Sequence, residues 1–468
     1  MNILLVASEA LPFCKSGGLG DFIFSYSKAL VKNGQKANVI IPLYKEVRLK
    51  HPETITDLYD HFDFKMSYRT LGCGIFHKVV ENVNYFFVAM DRFDRDQLYG
   101  YGDDNERFAC FMMAVNTFIT RHNDFDVVHC NDWQSAVLPL LLTYNPKKIK
   151  TVLTIHNPAF QGWASKGDVN NFFNLSYDYY DSGYVRMGDS FNFLKTGIMA
   201  SNKINTVSYT HAKELLSDHV NFGGIGMIID WCRHYDFTGV VNGLDVDVWN
   251  PKTDKHLAAN YDITNYKEAK LKNRLAILNK LGMDSNFKGP IYSAITRLSN
   301  QKGVDRIISI MPLLASQDAR LIVIGTGEME DLFLAEALKY KEVYFVKKYD
   351  EDLAHLLYAA SDYFLMPSYF EPCGTSQMIA MHYGTIPIVS SVGGLNDTVK
   401  DLSIGKDATG FVFDNGIYNA FYECFKASLT FYSYDKSRVD EVIQNGMKED
   451  FSWNKSAKEY LNLYNSIK

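Results

Sequence analysis

The chain has 468 residues, 48 of them basic and 54 acidic, for a net charge of −6. That length suits two or three domains with large apolar cores, and the acidic balance speaks against a nucleic-acid scaffold. The seven cysteines (Cys14, Cys73, Cys110, Cys130, Cys232, Cys373 and Cys424) contain no C-x-x-C pair, which argues against a disulfide framework or structural zinc and for a reducing, cytoplasmic setting.

The opening Met1-Asn2-Ile3-Leu4-Leu5-Val6 lacks a basic start and a long apolar run, so it reads as a first strand rather than a signal peptide. No stretch approaches the ~20 apolar residues of a membrane span, and no membrane partner is expected. Short apolar runs at residues 3–7, 38–41, 127–129, 151–155, 204–207 and 239–241 read as buried parallel strands. Amphipathic stretches at 22–32, 106–121 and 133–144 read as helices between them. Residues 43–104 are less regular, and a hairpin or insertion is expected there. The rhythm breaks at Asn242-Gly243-Leu244-Asp245 and Trp249-Asn250-Pro251, and the polar stretch 252–265 reads as a linker and helix entry. A second series follows, with strands at 291–296, 321–325, 343–346, 363–366 and 386–389 and helices at 305–314, 329–339, 351–360 and 377–382. The fold class is therefore α/β: two doubly wound parallel-sheet domains, with the cleft between them as the expected ligand site.

Five loops carry groups suited to chemistry. Lys15-Ser16-Gly17-Gly18-Leu19-Gly20-Asp21 follows the first strand and opens a helix; it is either a tight βα turn or a phosphate contact made by backbone amides and Lys15. It is neither G-x-G-x-x-G nor a Walker loop. Asp132, in Asn131-Asp132-Trp133, reads as a helix N-cap at a functional strand end. His156 ends a strand ahead of Asn157-Pro158, and is a structural histidine or a ligand contact. Arg297 and Lys302 lie five apart in one strand-to-helix loop; they are two solvated cations or a pair converging on one anion, a diphosphate being the obvious candidate. As a cation at a cleft mouth, Lys302 is not expected to be a packing residue. Glu371 is held between Phe370 and Pro372, and Gly374, Thr375 and Ser376 then open a helix whose free amides suit phosphate. Gly393-Gly394-Leu395 repeats the glycine-then-helix device one strand later.

Taken in order, these segments resemble bacterial glycogen synthases and plant starch synthases. The resemblance rests on Ser8-Glu9 with Lys15-Ser16-Gly17-Gly18-Leu19, on Asp104-Asn105-Glu106-Arg107-Phe108, Asp132-Trp133 and residues 154–162, on Val241-Asn242-Gly243-Leu244-Asp245 with Trp249-Asn250-Pro251, and on residues 297–303, Glu371-Pro372-Cys373-Gly374 and Gly393-Gly394-Leu395. It implies a GT-B fold, with an N-terminal Rossmann-like domain at 1–242, a nucleotide-sugar domain at 243–451 and a last helix at 452–468 crossing back. It implies a retaining hexosyltransferase that moves glucose from ADP-glucose, with UDP-glucose less favoured, to the non-reducing end of an α-1,4-glucan. No cofactor and no metal are implied, and oligomeric state is left open. Asp245-Val246-Asp247 has the spacing of a metal-holding pair but sits in the family's linker segment. By the resemblance, Lys15 with Gly17 and Gly18 contacts the nucleotide sugar, Arg297 and Lys302 clamp the diphosphate with help from the amides of Gly374, Thr375 and Ser376, and Asp21, His156 and Asn242 meet the transferred glucose or its phosphate. Asp132 joins the substrate contacts and Glu371 is the carboxylate needed for turnover. Four positions depart from the family's habit: Tyr369 where Arg is usual, Thr375 where Leu is common, and Asn131 and Gln134 in place of histidines. A phosphorylase, a sucrose- or lipid-directed transferase and a non-catalytic glucan-binding protein are the rival readings.

Overall fold

In a computed structural model, which describes residues 1–217, 221–434 and 436–467, the chain divides into two units. One is Met1–Gly243 together with the segment from Trp453 onward; the other is Leu244–Ser452.

The first unit is built on a nine-stranded sheet. Its strands are β1 (Asn2–Val6), β2 (Lys36–Pro42), β3 (Leu58–Met66), β4 (Arg69–Val80), β5 (Val83–Ala89), β6 (Val127–Asn131), β7 (Lys150–Ile155), β8 (Lys203–Thr206) and β9 (Phe237–Gly239). They lie in the order β9-β8-β7-β6-β1-β2-β5-β4-β3. β1 is apolar along almost its whole length and both β1 and β6 are buried almost throughout, as strands covered on both faces must be, with His129 and Asn131 of β6 satisfied by internal hydrogen bonds. β1 pairs in parallel with β2 on one side and β6 on the other. Winding therefore reverses between β1 and β6, and the crevice for a ligand opens at their carboxyl ends. Helix α1 (Gly18–Lys32) follows β1 and turns Phe22, Ile23, Tyr26, Ala29 and Leu30 into the core at helical spacing.

The irregular stretch after residue 43 is an antiparallel meander of β3, β4 and β5. Its second turn, Glu81-Asn82, has both residues at positive φ, the geometry that matches strand twist in a two-residue hairpin. The C-terminal helix, Trp453–Asn465, packs on this unit with Tyr460 and Tyr464 fully buried. A Cβ on Gly243 would come within 2.5 Å of the Trp453 backbone, so only glycine permits that approach.

The second unit is a six-stranded sheet of β10 (Ile291–Ile295), β11 (Arg320–Ile324), β12 (Val343–Val346), β13 (Tyr363–Met366), β14 (Ile386–Ser390) and β15 (Phe411–Phe413), ordered β12-β11-β10-β13-β14-β15. All pairings are parallel. Here the winding reverses between β10 and β13. Helices α2 (Val304–Ser316), α3 (Glu351–Ala360), α4 (Ser376–His382) and α5 (Gly393–Thr398) follow β10, β12, β13 and β14.

Three local expectations are corrected. Residues 133–144 do not form one helix: a 3-10 turn at Trp133–Ser135 gives way to a short helix at Leu138–Leu142, whose first turn carries Pro139. The strand expected at 239–241 is Phe237–Gly239, two residues earlier. The stretch 252–265 does lead into a helix, Tyr266–Lys280, but it is part of the second unit rather than a linker and is fastened to it. Asn273 Oδ1 accepts the amides of Ala258 and Ala259 at 2.9 and 3.1 Å, and Asp254 Oδ2 takes His355 Nδ1 at 2.7 Å and the Tyr383 hydroxyl at 2.5 Å.

Candidate active site

In the first unit, the polar groups gather at the carboxyl ends of β1, β6 and β7, beside the winding reversal. The loop after β1 is organised by Glu9, whose side chain is buried. Its Oε2 accepts the amide and hydroxyl of Ser16, both at 2.7 Å, and the hydroxyl of Tyr99 at 3.2 Å. Its Oε1 accepts the amides of Gly20 at 3.0 Å and Gly17 at 3.3 Å. The free amide donors expected of the glycine loop are thus partly spent on an internal carboxylate. Gly18 and Leu19, at the start of α1, keep amides with no partner among the described residues. Gly17 and Gly18 have open space where a Cβ would stand, whereas a Cβ on Gly20 would meet Lys15 Cβ at 2.7 Å. The glycine that the packing demands is therefore Gly20. Lys15 reaches Asp21 with its ammonium at 3.0 and 3.2 Å from the two oxygens; both side chains are about half exposed. Such a pair contributes about 0–1 kcal/mol and yields readily to a ligand.

Asp132 stands at the expected N-cap position, before the 3-10 turn at Trp133–Ser135, but does not cap it with its side chain. Its Oδ1 instead accepts the amides of His156 at 2.7 Å and Asn157 at 3.3 Å, tying the end of β6 to the loop after β7. Its φ of +56° is a strained value for a non-glycine residue, the kind retained where a site over-determines the backbone. Burial pushes its carboxyl up to about 7, against the pull of the two amides.

His156 has its ring edge-on to Phe22, centroids 4.6 Å apart. Burial drives its imidazole down to about 3, so it is neutral at physiological pH. Asn131 donates its Nδ2 to the carbonyls of Val6 and His129, which leaves Oδ1 to accept from His156 Nε2 at 3.0 Å. The imidazole proton is therefore on Nε2, and Nδ1 is left as an acceptor. Asn131, one of the four departures from the family pattern, thus has a definite task. Asn242, near the end of this unit, keeps its Oδ1 buried with no hydrogen-bond partner among the described residues.

In the second unit, the loops after β10 and β13 flank the other winding reversal. The loop after β10 ends in a 3-10 turn, Asn300–Lys302, and Gly303 at φ +68°. A Cβ there would lie 2.0 Å from the Pro367 carbonyl oxygen, so glycine lets this loop press against the loop after β13. The contact brings Lys302 onto Glu371: its ammonium donates to Oε2, which also accepts the Ser368 hydroxyl at 3.3 Å. Arg297 in the same loop is exposed, and its guanidinium has no hydrogen-bond or ion-pair partner among the described residues. Of the two cations, one is thus committed to Glu371 and the other is open.

Gly393 and Gly394 have a packing duty. A Cβ on either would lie 1.9 Å from the Glu371 carbonyl oxygen or 2.3 Å from that of Cys373, so α5 is pressed directly against the Glu371-Pro372-Cys373 turn. Gly374, at φ +73°, precedes Thr375, which heads α4 without a side-chain cap. Tyr369 lies under the Arg306 guanidinium, 3.8 Å from its ring centroid, and donates its hydroxyl to Asp305 at 2.7 Å. A cation is thus supplied beside this position from a neighbouring helix.

The structure gives roles to residues the sequence reading left without one: Glu9, Tyr99 and Ser368. Glu9 carried a signal, an acid directly beyond the end of β1; the other two had none. Among the described residues, Asp254, His256 and His355 are the group close enough to share an ion, with ligand atoms within 4.8 Å of one another. Asp254 Oδ2 is already engaged by His355 and Tyr383, and His256 Nδ1 pairs with Asp352 at 2.5 Å. The group is a hydrogen-bonded clamp holding residues 252–265 onto α3.

No helix among the described residues is long and apolar enough to cross a membrane. The family model described as starch synthase catalytic domain matches residues 2–230, and that for glycosyl transferases group 1 matches residues 283–433. Glycogen synthases from Clostridium botulinum and Clostridium acetobutylicum are 37% and 38% identical to the chain, covering all of it and 99% and 100% of their own lengths; that of Lactobacillus acidophilus is 36% identical over 100% of both. The catalytic domain of starch synthase IV from Arabidopsis thaliana, bound to ADP and acarbose, superposes with a TM-score of 0.87 at 30% identity, covering 99% of this chain and 98% of that one. Sucrose-phosphate synthase from Thermosynechococcus elongatus, at 17% identity and a TM-score of 0.62, shares the fold. The chain belongs to the glycogen synthase and starch synthase family: it is a hexosyltransferase of the retaining type with the GT-B fold.

Proposed function

We propose that this family member transfers the glucosyl group of ADP-glucose to the non-reducing end of an α-1,4-glucan with retention of the α configuration. The observation that carries the reading is the Arg297 and Lys302–Glu371 constellation at the winding reversal of the second unit, where a parallel sheet binds its ligand. The glycogen synthase names of full-length relatives and the ADP and acarbose held by the Arabidopsis domain support the donor and acceptor classes.

The bond from C1 to the diphosphate breaks while the acceptor O4 bonds to C1 on the same face, and the O4 proton passes to the departing phosphate oxygen. Charge then builds on the diphosphate and the ring becomes oxocarbenium-like. Arg297 and Lys302, with the amides of Gly374, Thr375 and Ser376, take the first; donors of this kind are worth about 2.7–4 kcal/mol each when lost. Lys15 and the open amides of Gly18 and Leu19 beside Gly17 meet the donor at the first unit. His156 Nδ1, Asp21 and the unpartnered Asn242 Oδ1 accept glucose hydroxyls, and Asp132 holds the His156 loop for them. Glu371 keeps Lys302 aimed and sets a negative charge near the sugar.

The test is incorporation of radiolabelled glucose into glycogen from ADP-glucose and from UDP-glucose, with the label then released by an α-1,4-specific amylase. Transfer from ADP-glucose with the higher kcat/KM is expected. A higher kcat/KM for UDP-glucose overturns the donor assignment, and no transfer from either overturns the reading.

A further inference from the structure

We infer that Glu9 is a positioning residue for the transfer, acting through Lys15. This rests on the proposed role of Lys15 at the donor.

Glu9 lies just beyond β1, where a buried carboxylate would be costly unless its lone pairs were filled. They are filled by the loop itself. One oxygen holds Ser16 by both its amide and its hydroxyl, the other holds Gly20, and Gly17 adds a longer contact. The two oxygens therefore staple the residue after Lys15 and the residue that packs against it: Gly20 leaves only 2.7 Å between its would-be Cβ and Lys15 Cβ. The Lys15 backbone is held from both directions, and its side chain leaves the loop on the side where Asp21 stands.

A second tie comes through Tyr99, whose hydroxyl donates to Glu9 and lies 2.7 Å from Ser8 Oγ. With Ser16, Gly17 and Gly20 turned inward to Glu9, the amides at the head of α1 that stay open are those of Gly18 and Leu19. Glu9 thus sets both which amides face outward and where Lys15 points.

Glu9→Gln keeps the shape but sets an NH2 group against donors that need an acceptor. Activity should fall about 10- to 100-fold, the loss expected when hydrogen bonds to a charged group are removed, with the fall in kcat exceeding the rise in donor KM. The decisive experiment is a double-mutant cycle on the full chain with Lys15→Ala, read as kcat/KM for the nucleotide-glucose donor, with unfolding midpoints measured in parallel. If Glu9 acts through Lys15, Glu9→Gln costs much less in the Lys15→Ala background than in the wild type. If the two losses multiply while Lys15→Ala alone is impaired, Lys15 keeps its role and the inference about Glu9 is overturned. If Lys15→Ala alone is as active as the wild type, the proposed role of Lys15 and the inference both fall. Should Glu9→Gln not fold, Ser16→Ala, which removes one of the two Ser16 bonds, must show the same non-additivity on a smaller scale.

Discussion

The carboxylate of Glu371 is bonded to the ammonium of Lys302, so these residues form one unit before any substrate arrives. The two side chains are 9% and 20% exposed, and the pairing gives Lys302 a structural duty as well as a chemical one. A cation at the mouth of a cleft was expected to be free of the packing; this one neutralises a buried acid.

Lys302→Ala should lower kcat by about a hundredfold or more, because an interaction that strengthens as charge develops appears in kcat. It should also lower the unfolding midpoint, since Glu371 is left without its counter-ion. Adding Glu371→Gln should restore the midpoint but not the activity. Lys302→Arg should recover only part, as a planar fork does not replace a compact ammonium. Near-normal kcat in Lys302→Ala, with weaker glucan binding alone, would move this loop to the acceptor.

Asn242 presents the opposite case. A buried acceptor without a partner costs about 1–3 kcal/mol, and Asn242 Oδ1 is such an acceptor. Asn242→Ala should therefore unfold at the same urea concentration as the wild type, or a higher one, while kcat/KM for the donor falls by tenfold or more, on the order of one hydrogen bond to a sugar hydroxyl. A lower midpoint with unchanged activity would make the residue structural.

The strands were legible because parallel strands covered on both faces are continuous apolar runs, and 3–7, 151–155 and 363–366 are unmistakable in that respect. The loops that carry Lys15, His156, Arg297 and Glu371 were legible because glycine, proline and polar residues cluster at strand ends. Which partner each side chain would choose was not. Asp132 reads as a cap from its neighbours along the chain, yet its acceptors are taken by amides 24 and 25 residues away. Lys302 reads, with Arg297, as a cation awaiting an anion; that its ammonium rests on Glu371, 69 residues off, because Gly303 lets the two loops touch, was not legible. The pair Gly393-Gly394 reads locally as a glycine-then-helix device, and the clearance it provides for α5 to lie on the Glu371 turn is visible only in the fold. Contacts between distant segments follow from the order of strands in the sheet, which no local pattern encodes.

The C-terminal helix is fastened by a polar network rather than by apolar packing alone. The Tyr464 hydroxyl lies 2.6 Å from that of Tyr26 and 2.7 Å from His129 Nδ1, and His129 Nε2 lies 2.6 Å from Thr154 Oγ1. Tyr464→Phe removes one oxygen and leaves two buried groups unpartnered. A loss of about 1–3 kcal/mol in unfolding free energy is expected, larger than for Tyr→Phe at exposed Tyr68. Equal effects at the two sites would show that the network adds nothing.

Stability against pH should carry two opposed contributions in the first unit. The Asp132 carboxyl is raised by burial from 3.8 to about 7. The folded protein holds that proton after the unfolded chain has released it, so the contribution is complete below pH 3.8 and is lost as pH climbs to about 7. His129 and His156 are lowered by burial from 6.5 to about 3. There the unfolded chain takes up protons first, so stability is lost as pH falls from 6.5 toward 3. Between about pH 4 and 6.5 the two trends oppose one another, each unmatched proton giving at most about 1.4 kcal/mol per pH unit. Asp132→Asn removes the first trend and keeps side-chain acceptor capacity for the His156 and Asn157 amides. The variant's stability should therefore rise more steeply with pH across that window than the wild type's, with the gap between them changing little above about pH 8. Urea unfolding of both proteins at several pH values between about 4 and 8 measures this directly. Parallel curves would mean that Asp132 is ionised throughout the range and that the amides of His156 and Asn157 outweigh its burial.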